Sequence, residues 1–91
     1  MIEIINTKRE RKVYKPINGK EMSLEEMQKI VGGYIQIVPL SKSNKILILD
    51  EEGKLKGYPI NELATDIWEE NYGETDVIVG NVIIADDDEV K

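Results

Sequence analysis

The apolar residues of this chain change their period several times. Ile2 and Ile4, then Val13 and Ile17, alternate with polar positions, which predicts strands over about 2–6 and 11–17 with a turn at 6–10. The same stretch can be drawn as one long bent strand. Asn18-Gly19 marks a turn. The period then becomes helical: Leu24, Met27, Ile30 and Val31 form one stripe. Ser23-Leu24-Glu25-Glu26 has the form of a capping box, Met22 can staple against Met27, and Gly32 supplies a left-handed stop. A helix over 23–31 is too short to persist alone, so it must dock on a sheet.

Residues 33–38 and 45–50 read as two strands. The first is ended by Pro39, and the polar linker 40–44 makes the pair a hairpin. Glu51-Glu52-Gly53 reads as a turn with Gly53 left-handed, returning a short strand over 54–57. Ile60, Leu63, Ala64, Ile67 and Trp68 follow helical spacing. Asn61 can cap this second helix, or Pro59 can open it, and Tyr72-Gly73 stops it. Residues 76–85 form the last strand, and 86–91 an acidic tail expected to be disordered.

Several strands are apolar on both faces. Ile46, Leu47, Ile48 and Leu49 occupy both, as do Val77 and Val79 against Ile78, Val82 and Ile84. A half-exposed sheet would alternate, so this one is either covered on both sides or lies in the middle of something. The expected architecture is a single α+β domain over 1–85, with a mixed or antiparallel sheet of four to six strands and two short helices. The helices can cover one face. The other needs the second helix, the basic hairpin or a second copy of the chain, which is the reason to consider a homodimer.

Composition narrows the chemistry. The 91 residues contain no Cys, no His and no Phe. Disulfides, thiolate nucleophiles and Cys- or His-based metal sites are excluded, and so are Ser–His and Cys–His machinery within one chain. Carboxylate, Lys and Tyr chemistry remains, and the expectation is a protein that is not an enzyme and carries no cofactor or metal. The longest apolar runs, 46–49 and 82–85, are four residues, against about 20 for a membrane span. The first residues read as a strand, without a signal-peptide pattern, which points to the cytoplasm and no membrane partner. The net charge of −6 is unevenly placed: residues 1–20 carry +4 and residues 21–91 carry −10. A basic arm on an acidic body argues against non-specific coating of DNA.

Three blocks of the sequence carry a resemblance. L-E-E-M-Q-K-I-V leads into G-G-Y-I-x-I-V-P-L, a strand leads into D-E-E-G-K-L-K-G-x-P-x-N, and D-V-I-V-G-N-V-x-I follows. Over about 24–84 the chain resembles the small domain-of-unknown-function 3846 family of phages, plasmids and bacterial genomes. The basic stretch 8–15 and the acidic tail are less typical of it. The resemblance implies a mobile-element setting and a compact α+β domain, but no reaction and no catalytic residues.

Gly32-Gly33-Tyr34 joins a helix end to a strand. That is the reverse of a phosphate loop, so the glycines read as a helix stop and tight packing. Tyr58-Pro59-Ile60-Asn61 sets an aromatic ring and an amide at a helix mouth, where an anion can sit, against simple capping by Asn61. Asn81, after Gly80, either faces a ligand or bonds local backbone at a bulge. With Tyr34, these give Tyr34, Tyr58, Asn61 and Asn81 as candidate ligand residues. Lys8, Arg9, Arg11, Lys12 and Lys15, with Tyr14 among them, can track nucleic-acid phosphates or serve as a solvated edge hairpin paired with the acidic body. Asp86-Asp87-Asp88-Glu89 lacks the spacing of a calcium loop. Glu69 and Glu70 are adjacent on a helix and point apart, so they make no glycosidase pair.

The leading expectation is a phage or mobile-element accessory protein that binds a host or phage protein through a sheet edge or the surface of the second helix. The alternatives are nucleic-acid binding through the basic hairpin and sequestration of a small ligand such as a nucleotide.

Overall fold

The computed structural model of the chain describes residues 1–90; Lys91, part of the expected acidic tail, lies outside the described residues. Five strands form one sheet: β1 (Ile2–Ile5), β2 (Arg11–Tyr14), β3 (Ile35–Leu40), β4 (Lys45–Asp50) and β5 (Val82–Ala85). Their spatial order is β2-β1-β5-β4-β3, and every neighbouring pair is antiparallel. Two helices, α1 (Leu24–Val31) and α2 (Glu62–Tyr72), pack on it. The fold is α+β. Its radius of gyration, 12.1 Å, is the value of about 12 Å expected for a compact chain of this length.

The two-faced strands are explained by one helix on each face. Ile46 and Ile48 of β4 and Ile83 and Ala85 of β5 point to one side, where they meet Met22, Met27 and Val31 at α1. Leu47, Val82 and Ile84 point to the other, where Ala64 is buried and Leu63, Ile67 and Trp68 of α2 pack against them. The period-two alternation of strand side chains produces this division. The second helix is therefore the cover that the sequence left open, and the sheet faces do not call for a second copy.

Several elements match the sequence and others depart from it. Ser23 caps α1 through the full capping box, Gly32 ends it at φ 100°, and Met22 and Met27 are both buried. Leu24 departs from the stripe and is half exposed. Pro39 lies within β3, opposite Ile46, rather than ending it. β3 is an edge strand, where a missing N–H is tolerated. Residues 54–57 form no strand: Lys56 N–H donates to the Glu52 carbonyl and Tyr58 N–H to the Gly53 carbonyl, coiling the chain in consecutive turns. Leu55, the one aliphatic residue of that stretch, has no face to bury and is exposed. Gly57, not Gly53, is the left-handed residue there.

The last strand is shorter than expected. Gly80 at φ 77° turns the chain, and Val79 pairs with Ile60 instead of β4. Ile60 therefore precedes α2 rather than joining its stripe. The acidic tail is held in its described part: Asp87–Glu89 form a 3-10 turn, Lys45 reaches Asp86 at 2.9 Å, and Met22 N–H donates to the Glu89 carbonyl at 2.8 Å. Lys45 and the N-terminal ammonium, which reaches Asp86 at 3.4 Å and Glu89 at 3.0 Å, offset the charge that composition alone assigns to a solvated end. Among the described residues no helix is long and apolar enough to cross a membrane.

Candidate functional site

The three sequence blocks converge on Tyr58. A Cβ on Gly80 would lie 2.6 Å from the ring, one on Gly32 2.4 Å from the hydroxyl, and one on Gly53 3.3 Å from the ring. Three glycines from three parts of the chain thus leave the space that one aromatic side chain fills. Beside it, the Lys56 ammonium donates to Asp50 Oδ2 at 2.8 Å and to the Gly32 carbonyl at 3.1 Å. The carbonyls ending α1 carry the negative end of the helix dipole, so a cation is favoured there. Burial pushes the Asp50 carboxyl up, but Lys56, the Glu52 N–H and Tyr58 outweigh it and hold the group below its ordinary value. The Asp50 hydrogen bond raises Lys56 in turn. Asp50 and Lys56 lie inside the D-E-E-G-K-L-K-G block, but sequence spacing alone did not single them out as a pair.

Of the four candidate ligand residues, the structure brings two together. Tyr58 and Asn81 line one hollow of about 300 Å³ with Thr7, Ile30 and Pro59. Tyr34 lies apart and exposed, beside Gln28, Glu52 and Lys56. Asn61 is wholly buried and is a structural hub. Its Oδ1 accepts the Ala64 N–H at 3.0 Å, and its Nδ2 donates to the carbonyls of Ile5 at 3.0 Å and Gly80 at 2.8 Å. Capping is therefore its role, and no free amide faces an anion at the start of α2. The Tyr58 hollow lies at the C-terminal end of α1 and has no cationic side chain in its lining, a poor setting for nucleotide phosphates.

The basic hairpin is partly neutralised by the body. Arg9 reaches the Glu62 carboxylate at 2.8 Å and Arg11 reaches Glu3 at 3.0 Å. Tyr14 packs beside the α1-side core, and its hydroxyl donates to Glu26 at 2.7 Å, so its ring is no stacking platform. Lys8, Lys12 and Lys15 are exposed. Among the described residues no cluster of three or more carboxylates gathers as a metal ion requires.

The two edges of the sheet differ. Edge strand β2 carries Arg11 and Lys12, whereas β3, Ile-Gln-Ile-Val-Pro-Leu, carries no charge. Glu51 N–H donates to the Tyr34 carbonyl. With the period-two ladder, Gln36, Val38 and Leu40 thus aim their backbone groups at β4, and Ile35, Ile37 and Pro39 aim theirs outward. Tyr72 caps the Pro39 carbonyl. On the α2 side of this edge lies a hollow of about 230 Å³, with Gln36, Val38, Leu49, Trp68 and Val77 among its walls and Glu51 and Asp76 at its rim. Sequence reading named a sheet edge but not which one, because strand order was not legible.

No curated protein and no solved structure matches the chain. The family model described as Domain of unknown function (DUF3846) matches residues 3–91, the span that contains the glycine nest, the capped helices and the open edge, and the chain belongs to that family.

Proposed function

We propose that this chain is a non-enzymatic accessory protein that works by binding another protein through its sheet edge. The observation that carries the reading is the contrast between the edges. Proteins commonly block free edges with Lys, Arg and Pro, since a bare edge templates strand addition. β2 is blocked by charge, while β3 has only Pro39 near one end. The flanking helix α2 carries Asp66, Glu69 and Glu70, and Glu62 is the one acidic residue of α2 in an ion pair among the described residues. A carboxylate-rich flank steers a basic partner and sets its orientation. The mobile-element and cytoplasmic setting rests on the family resemblance and on the sequence pattern.

Affinity capture of the full chain from host lysate, read by native mass spectrometry, tests the proposal. The expected result is a protein partner at fixed stoichiometry, lost in high salt. Gently purified protein that carries a nucleotide mass, or capture of nucleic acid alone, would overturn it.

A further inference from the structure

Resting on that reading, we infer that β3 accepts an extended cationic segment of its partner as a sixth strand. An apolar side chain on the α2-facing side of that segment would enter the hollow beside Trp68, with cationic side chains two positions away on the same face. Three features select this occupant. First, the outward backbone groups of Ile35 and Ile37 are engaged by no loop or side chain among the described residues, so they supply a short strand-pairing ladder. Second, Gln36 and Val38 point toward α2, so a strand laid beside them places every second side chain next to the hollow. Its walls, Val38, Leu49, Trp68 and Val77, suit an aliphatic group, and its volume of about 230 Å³ admits one.

Third, the rim is acidic. Glu51 and Asp76 outnumber Lys54, which Asp76 already holds. Glu51 is exposed and takes part in no ion pair among the described residues. Lys or Arg two positions away from the apolar side chain, on the same face of the added strand, would meet these carboxylates. A second copy is disfavoured by the same charge, since each chain carries −6.

The test uses the full chain and two synthetic peptides long enough to span β3, each with Thr at every second position and, between them on one face, Val and Lys in turn in the first peptide and Val and Glu in turn in the second. Backbone amide exchange is followed residue by residue by NMR. The expected result is roughly tenfold slower exchange at Ile35 and Ile37 with the Lys peptide alone, together with a shift of the Trp68 indole resonance. Binding should weaken at least about threefold on going to ~0.5 M salt. Ile37→Pro removes an outward N–H without touching the β4 ladder and should abolish the protection. Glu51→Lys, which changes an exposed side chain and keeps the backbone N–H, should weaken binding while the fold stays intact.

Equal protection by the Glu peptide, protection elsewhere, no protection at all, or protection that rises with protein concentration without peptide would each overturn the inference. The last of these would assign the edge to a second copy. If capture from lysate yields a protein partner that protects β3 but whose docking segment matches a cationic strand neither in its peptides nor in its charge, the proposed function stands and only this inference fails.

Discussion

Gly80 shows how single atoms constrain this protein. Its φ of 77° is left-handed, and a methyl there would press on the Tyr58 ring at 2.6 Å. Gly80→Ala should therefore cost about 2–3 kcal/mol, backbone strain and overlap together. Gly57→Ala, at φ 72° but in open space, should cost only about 1 kcal/mol. Urea unfolding of both variants checks the difference, and pairing Gly80→Ala with Tyr58→Ala should recover the overlap but not the strain. The buried Asp50 carboxylate makes a second test. Lys56→Met leaves it with the Glu52 N–H and Tyr58 but no cation, and should lower stability at pH 7. Asp50 titrates below its ordinary value, so its contribution is present above about pH 4 and lost as pH falls further. The gap between Lys56→Met and the parent protein should accordingly narrow in acid.

The helix caps reach beyond their own helices. Glu26 closes the capping box of α1 by accepting the Ser23 N–H, and it also accepts the Tyr14 hydroxyl and the Ile17 N–H, so one carboxylate pins the end of the basic hairpin to α1. The Ser23 N–H, with Tyr14 and Ile17, holds its pKa down at about 2 against an ordinary 4.5. A depressed carboxyl stabilises the fold above its unfolded pKa and loses that effect as pH falls toward the folded one. Glu26→Gln should thus be destabilising at neutral pH, with the difference from the parent closing between about pH 4.5 and 2 in thermal melts. Asn61 does the same for α2: it caps the helix and ties it to β1 and to the Gly80 turn. Asn61→Ala removes a cap and orphans two buried carbonyls, for about 3 kcal/mol. Asn61→Ser, which restores the cap alone, should fall between alanine and the parent in denaturant midpoint.

In the whole molecule the last strand sits at the centre. β5 pairs with β1 on one side and β4 on the other and is buried along its length. Strand pairing between the two ends of the chain closes the sheet, so the most protected amides should be those of β5. Hydrogen exchange should find Val82, Ile83 and Ile84 opening only with global unfolding, and the outward amides of Ile35 and Ile37 exchanging far sooner in the free protein. A β5 that exchanged as fast as β2 would contradict this arrangement. The same layout leaves β3 at the margin with its uncharged edge, next to the acidic flank of α2, where the binding proposal places a partner.

Local rules settled much of this protein before any tertiary contact was considered. The capping box at Ser23, the stop at Gly32, the Asn61 cap and the strand over Lys45–Asp50 follow from hydrogen-bonding groups and apolar periods within a few residues of each other. The apolar character of both strand faces likewise excluded a sheet with one face in water. Long-range packing decided the rest. Which helix lies on which face, the central place of β5, the coil of residues 54–57 and the anchoring of Asp86 all depend on partners distant in sequence. So do the candidate sites: the space for Tyr58 exists only where Gly32, Gly53 and Gly80 meet. Asn61 shows the division most sharply. Its capping oxygen was legible from the sequence, while the two carbonyls that bury its amide, and so remove it from any ligand, belong to other parts of the chain.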